Sequence, residues 1–123
     1  MSEIRTDTIS AANGTDPVTL TKQSAAKAFC VWNASSGTPT SLQSLNVSSL
    51  TDTNTGQCVV NYSSNMANTD SIISGGVGNG GSKGWMYDNN STSSVRVETQ
   101  NIASTPNYTD YDNVSVAIHG DLA

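Results

Sequence analysis

Short runs in which apolar side chains occupy every second position are the feature that most limits what this chain can fold into. Near the end of the sequence, Val114, Val116 and Ile118 alternate with smaller or more polar residues. A period of two is that of a half-buried β-strand, in which successive side chains point to opposite faces of a sheet. No segment of useful length repeats with the period of an amphipathic helix. The pattern therefore predicts an all-β fold.

The composition supports this prediction and adds a second one. Ser, Thr and Asn account for 19, 15 and 13 residues of 123, and these small polar side chains favour turns and pleated surfaces over helix. Leu, Ile, Val and Phe total only 22 residues, which is a thin supply for the core of one domain. Since the net charge is only −5, we expect a folded domain that completes its burial through contacts between subunits, as a symmetric oligomer.

Turn signals divide the chain into an arm and a domain. The polar residues 1–17 contain Asn13-Gly14 and end at Pro17, and they predict an extended N-terminal arm that docks on another chain. Residues 18–123 predict a β-sandwich or jelly-roll-like domain, because short strands recur at regular spacing. This domain is predicted to begin with a short strand over 18–21, followed by a turn or two of helix over 22–28. Further strands are predicted over 28–33, 45–50, 58–62, 72–74, 84–87, 94–99 and 114–119.

The alternation within these strands also predicts which side chains form the core. They are the apolar residues that share one face of their strand. The predicted core consists of Trp32, Val60, Tyr62, Val95, Val97, Val114, Val116 and Ile118.

Charge and hydropathy exclude several classes of partner. The five Lys and Arg residues are scattered and form no basic stripe that could follow a phosphate backbone, so no nucleic-acid partner is expected. No stretch approaches the ~20 apolar residues of a membrane span, and the first residues lack the apolar core of a signal peptide. We therefore expect that the protein is synthesised in the cytosol and does not insert into a membrane.

The cysteines and the single histidine indicate neither a metal site nor another cofactor. Cys30 and Cys58 lie on predicted strands beside apolar residues, and without a secretion signal they are expected to be buried free thiols rather than a disulfide. There is no CxxC motif and no paired histidine spacing. His119 is the only histidine, and no GxSxG motif provides a serine nucleophile for it.

Acidic residues offer no better case for catalysis. Asp110 and Asp112 could in principle act as the two carboxylates of a glycoside hydrolase. However, a chain with ten acidic residues contains such pairs by chance. We expect that the protein is not an enzyme.

Two polar segments carry the candidate binding residues. The first, over 75–84, contains six glycines and leads into Trp85 and Tyr87; the second, over 101–113, contains Tyr108 and Tyr111. Aromatic rings among Asn, Thr and Asp can stack on a sugar. Alternatively, the glycine segment is a flexible turn between strands, and the aromatic rings cap the ends of the sandwich or fill contacts between subunits.

Several short motifs follow one another in a fixed order along nearly the whole chain. They are IRTDTI at 4–9, LTKQSAAKA at 20–28 followed by FCVWN, LNVSSLTD at 45–52, TG at 55–56, VNY at 60–62, SVRV at 94–97 and VSVAI at 114–118 followed by x-Gly-Asp. In this order the motifs resemble those of a family of proteins, the short tail-fibre or tail-fibre-like virion proteins of tailed bacteriophages that infect marine bacteria. Cys30, Cys58 and His119 depart from the family's usual residues, and the glycine segment is similar to a variable insertion.

The resemblance implies a non-enzymatic virion component, a homotrimer whose β-domain is displayed on the virion surface after assembly in the host cytoplasm. The first expectation is a tail-fibre-like appendage involved in host attachment, with the arm bound to other virion proteins and a host surface glycan as the target. The alternative is a capsid decoration protein, because 123 residues leave little room for a fibre shaft. A weaker alternative is a free carbohydrate-binding module.

Overall fold

The computed structural model of the protein describes residues 25–79 and 81–123. The predicted arm over 1–17, the strand over 18–21 and residues 22–24 of the predicted helical turn lie outside the described residues, and residues 25–28 of that turn are not helical. Within the described part there is no helix, and nine strands follow one another along the chain. They are β1 (Ala28–Asn33), β2 (Thr40–Leu45), β3 (Val47–Asn54), β4 (Gln57–Tyr62), β5 (Ile72–Val77), β6 (Lys83–Asp88), β7 (Ser94–Asn101), β8 (Asn107–Tyr108) and β9 (Val114–His119).

The strands form two antiparallel sheets arranged as a β-sandwich. The four-stranded sheet has the order β2-β1-β9-β5, and the five-stranded sheet has the order β3-β4-β7-β6, with the short β8 also paired to β7. Four connections are hairpins within one sheet, between β1 and β2, β3 and β4, β6 and β7, and β7 and β8. The all-β prediction is therefore confirmed, and the fold has the two layers expected of a sandwich.

Alternation along the strands builds the core between the two sheets. In β1, β4 and β9 every second side chain is buried, and the side chains between them are partly exposed. All eight residues predicted to form the core are buried. The structure adds Ala28, Cys30, Ala34, Cys58, Met66 and Ile73 to the same cluster.

The prediction of one continuous strand over 45–50 is wrong at Asn46, where the chain turns, although the residues on both sides of Asn46 are in strands. β2 ends at Leu45 and β3 begins at Val47, and the two strands belong to different sheets. Asn46 has φ of 53°, a left-handed conformation that Asn tolerates better than most residues. Its side chain accepts a hydrogen bond from Ser64 N at 2.7 Å and donates one to Ser64 O at 3.0 Å. This asparagine therefore anchors the crossing from one sheet to the other.

The loop in the glycine segment is shorter than the predicted loop over 75–84, because both neighbouring strands extend into the segment. β5 continues through Gly75 and Gly76 to Val77, and β6 already begins at Lys83. Gly75 lies where an ideal Cβ would come within 2.5 Å of the Trp85 ring and 2.2 Å of Ser115 O. Glycine therefore lets the strand pass directly under the indole, which explains its presence inside a strand.

Candidate binding surface

The four predicted binding residues do not form one cluster. Trp85 and Tyr87 lie on β6 opposite Thr99 and Val97, on the side of the sheet that faces the core. Tyr108 lies on β8 opposite Gln100, and it contacts the side of the sheet that faces away from the core. The structure therefore brings Trp85 and Tyr87 together, with ring centroids 5.9 Å apart, and places Tyr108 on the other face.

Trp85 and Tyr111 are largely packed against the core. Both are partly buried, and Trp85 covers Gly75 where β5 and β6 meet at the edge of the sandwich. The indole Nε1 is buried without a hydrogen-bond partner. Lys83 Nζ lies 4.5 Å from the centre of the Tyr111 ring, a cation–π contact that occupies one face of that ring. Two of the four aromatic residues thus present little free ring surface.

Tyr87 and Tyr108 keep exposed rings, 44% and 42% accessible respectively. Of the two, Tyr108 lies beside a group of fixed polar side chains that the sequence analysis did not identify. Its hydroxyl donates to Glu98 Oε2 at 3.2 Å. We call this group the Glu98 network. Its members are Gln57, Asp88, Arg96, Glu98 and Tyr108.

Glu98 is the centre of the network, and it is only 8% exposed although it points away from the core. Its Oε1 accepts a hydrogen bond from Gln57 Nε2 at 3.0 Å and lies 3.3 Å from Arg96 Nη2. A carboxylate this buried is stable only when its oxygens have such partners. These partners come from the neighbouring strands β4 and β8 and from β7 itself.

Arg96 links Glu98 to the edge strand. Its Nε donates to Asp88 Oδ1 at 2.7 Å and its Nη2 to Asp88 Oδ2, so the guanidinium binds this carboxylate through two parallel hydrogen bonds. This pairing raises the pKa of Arg96, which therefore stays charged. Bidentate geometry holds the side chain in one orientation, and the network is a rigid group of donors and acceptors rather than a set of mobile surface chains.

The signal for this network was present in the sequence but incomplete. Arg96 and Glu98 alternate with Val95 and Val97, which places them together on the outer side of one strand. Asp88 and Gln57 join them only through the register of β6 and β4 with β7. A single sequence does not reveal that register.

The acidic residues considered for catalysis have structural contacts in the loops. Asp110 Oδ1 accepts a hydrogen bond from Gly56 N at 2.6 Å, and Asp112 Oδ2 accepts one from Asn79 Nδ2 at 2.7 Å. Both carboxylates therefore connect the 109–113 segment to other turns. Within 25–79 and 81–123, no group of three or more His, Cys, Asp or Glu side chains is placed to hold a metal ion.

Both cysteines are buried free thiols, as predicted. Burial raises the pKa of Cys58 to about 12, with smaller contributions from Cys30 and Asp52. Burial also raises the pKa of Cys30, whose Sγ lies 3.6 Å from Ser41 Oγ. A neutral buried thiol is a poor nucleophile, so neither residue adds chemistry to the surface.

The part of the chain that is described contains no helix long and apolar enough to cross a membrane. Comparisons with protein-family models, with curated proteins and with solved structures gave no match for this chain.

Proposed function

We propose that this protein is a non-enzymatic structural component of a bacteriophage virion, a tail-fibre-like appendage on the virion surface that takes part in host attachment. The ordered motifs of the sequence support this proposal, as does an all-β domain rich in Ser, Thr and Asn. In the proposal the chain assembles as a homotrimer in the host cytoplasm and needs no cofactor. Residues 1–17 bind other virion proteins, so their deletion should abolish incorporation into particles.

The Glu98 network beside the exposed ring of Tyr108 is the observation that carries the attachment proposal. Sugars present hydroxyl groups around small apolar C–H patches. A site for them therefore combines an aromatic face with polar groups held in fixed positions. Tyr108 provides the face, while Arg96, Asp88 and Gln57 provide charged and amide groups on the same side of the sheet. We propose a host surface glycan as the ligand.

The experiment compares three substitutions in the full chain. Tyr108→Ser removes the ring, Tyr108→Phe removes only the hydrogen bond to Glu98, and Tyr87→Ser removes an equally exposed ring from the other side of the sheet. Purified variants are tested on an array of bacterial surface polysaccharides, and virions carrying them are tested for adsorption to host cells.

We expect Tyr108→Ser to weaken binding about tenfold, since an aromatic contact is worth up to ~1.5 kcal/mol and 1.4 kcal/mol is a factor of ten. Tyr108→Phe and Tyr87→Ser should bind nearly as well as the wild type. Normal adsorption by Tyr108→Ser virions would contradict host attachment through this surface.

Capsid decoration is the second candidate, and the dispersion of the four aromatic residues favours it. A decoration protein needs no clustered exposed rings, and Trp85 and Tyr111 are engaged in packing. The same virions separate the two candidates, because a decoration protein would be located on the capsid in images of the intact particle and its Tyr108→Ser variant would leave adsorption unchanged. Binding to the array by the isolated chain, without any effect on virions, would favour the free carbohydrate-binding module.

A further inference from the structure

Charge is distributed unequally between the two sheets. The strands of the four-stranded sheet, β1, β2, β5 and β9, contain no Asp, Glu, Lys or Arg. The five-stranded sheet contains Asp52, Lys83, Asp88, Arg96 and Glu98. Exposed sheet faces in soluble proteins normally carry charged side chains. A whole sheet without them is a feature that requires an explanation.

Half of the outward-pointing residues of this uncharged sheet are apolar. Phe29 pairs with Leu45 on one side and with Ala117 on the other, so the three lie in a row across the outer side. The sheet also exposes large aliphatic side chains at its two edges: Leu42 and Leu45 on β2 are 62% and 49% accessible, and Ile72 on β5 is 70% accessible. We call the outward-pointing residues of this sheet the uncharged face. They are Phe29, Val31, Gln43, Leu45, Ile72, Ser74, Gly76, Ser115, Ala117 and His119.

The charge of the chain indicates what covers this face. Each copy carries a net charge of −5, so two copies repel one another except where they approach through neutral surface. A partner that presented charged side chains would leave them desolvated and unpaired against this face. The core of a protein–protein interface is typically depleted of charge. A further copy of the same chain therefore fits the uncharged face best.

The width of the sheet indicates how many copies can meet there. Four strands about 4.8 Å apart give a face roughly 19 Å wide, and three such faces arranged as a triangle lie roughly 5.5 Å from their common axis. This distance from each sheet to the axis is close to half of the ~10 Å spacing between packed sheets. Side chains from three copies would therefore fill the space around the axis. In such an arrangement β2 of one copy would meet β5 of the next at each corner, and Leu42 and Leu45 would lie near Ile72.

We propose that the uncharged face lines the three-fold axis of a homotrimer and leaves the five-stranded sheet, with the Glu98 network, facing outward. This inference rests on the homotrimer of the proposed function and identifies the surface that forms it. The closed three-fold arrangement uses the aliphatic residues at both edges of the sheet in contacts between different copies.

Gly76 provides a direct test, because it lies in the uncharged face and an added Cβ would meet nothing within 4 Å. In Gly76→Glu a charge would enter the interface without a clash inside the subunit. Gly76→Thr is the matched control, since it adds a neutral side chain that suits a strand. The molar mass of each full-length variant is measured by light scattering and sedimentation velocity at tens of micromolar, and circular dichroism reports whether it is folded.

We expect the wild type and Gly76→Thr to have three times the 12.8 kDa mass of one chain. Gly76→Glu should show a threefold loss of mass while remaining folded. Ile72→Glu, at a position 70% exposed in the single chain, should have the same effect at the edge of the face.

Two results would overturn the inference. A monomeric or dimeric wild type would refute the three-fold arrangement, and trimers of Gly76→Glu and Ile72→Glu would show that the trimer forms through another surface. Polysaccharide binding by the monomeric Gly76→Glu variant is measured separately. Whether this variant keeps or loses polysaccharide binding tests the proposed function, and neither result changes the conclusion on the interface.

Discussion

Adjacent glycines in β5 should respond in opposite ways to the same substitution. An ideal Cβ on Gly75 would lie 2.2 Å from Ser115 O and 2.5 Å from Trp85 Cζ2, whereas one on Gly76 would have no heavy atom within 4 Å. Both contacts of Gly75 are far shorter than any tolerated carbon contact. The Ser115 carbonyl belongs to β9, which pairs with β5, so it cannot move without disturbing the ladder.

The magnitudes follow from these contacts. Overpacking of a well-packed site typically costs about 1–3 kcal/mol, while Gly→Ala gains about 0.4–1 kcal/mol by restricting the unfolded chain. Gly75→Ala should therefore lower the free energy of unfolding by about 1–2 kcal/mol. Gly76→Ala should leave it unchanged or raise it by up to ~1 kcal/mol. The strand, the substitution and the change in unfolded-state entropy are the same in both variants.

Urea unfolding followed by tryptophan fluorescence measures both variants at one protein concentration, which matters because association stabilises the folded state. In Gly75→Ala the displaced indole of Trp85 should also shift its emission to the red before unfolding. If the two variants unfold at the same urea concentration, the close approach of Gly75 to Trp85 and β9 is incorrect.

Four further predictions concern the core. Tyr62→Phe should stabilise the protein by about 1 kcal/mol, because the Tyr62 hydroxyl is buried without a partner; the exposed Tyr87→Phe is the control and should change nothing. Burial raises the pKa of Tyr62 from 10.0 to about 12. The wild type should therefore lose stability as the pH rises from 10 to 12, by about 1.4 kcal/mol per pH unit at most. In an alkaline titration followed by circular dichroism, Tyr62→Phe should lose less stability over the same range. Ile118→Ala should cost about 2–5 kcal/mol, since the side chain is fully buried, and an unchanged melting temperature would refute its place in the core. Cys30 and Cys58 should resist iodoacetamide at pH 8 until denaturant is added, as mass spectrometry would show, and rapid labelling of the folded protein would contradict their burial.

Strands with alternating or continuous apolar residues were predictable from the sequence. β1 and β9 begin and end at the predicted residues. β9 alternates apolar and less apolar side chains from end to end, whereas β1 is a run of apolar and aromatic residues that ends at Asn33. β2 was missed for a physical reason. Its apolar residues Leu42 and Leu45 are three positions apart, and a bulge opposite Val31 and Trp32 restores the pairing with β1. Such an irregularity removes the period of two on which the prediction depends.

The candidate site was predictable only in part. Sequence reasoning selected Tyr108 because an aromatic ring among polar residues suits a binding surface, and the prediction of its role remains to be tested. Its polar neighbours could not be foreseen, since Gln57 and Asp88 reach Glu98 and Arg96 through the pairing of strands distant in sequence. Residues that meet only through sheet register leave no local pattern.

The central position of β9 in the four-stranded sheet has a consequence for synthesis on the ribosome. Of the nine described strands β9 is translated last, yet it pairs with β1 on one side and with β5 on the other. At about 5–20 residues per second, the residues that separate β1 from β9 take roughly 4–16 s to appear. During that interval β1 has β2 as a neighbour and an open edge where β9 will insert. Nascent chains therefore expose an uncharged strand edge for seconds. A chaperone that shields such edges should raise the yield of folded protein. The increase should be larger than for a β-sandwich whose last strand lies at the edge of its sheet.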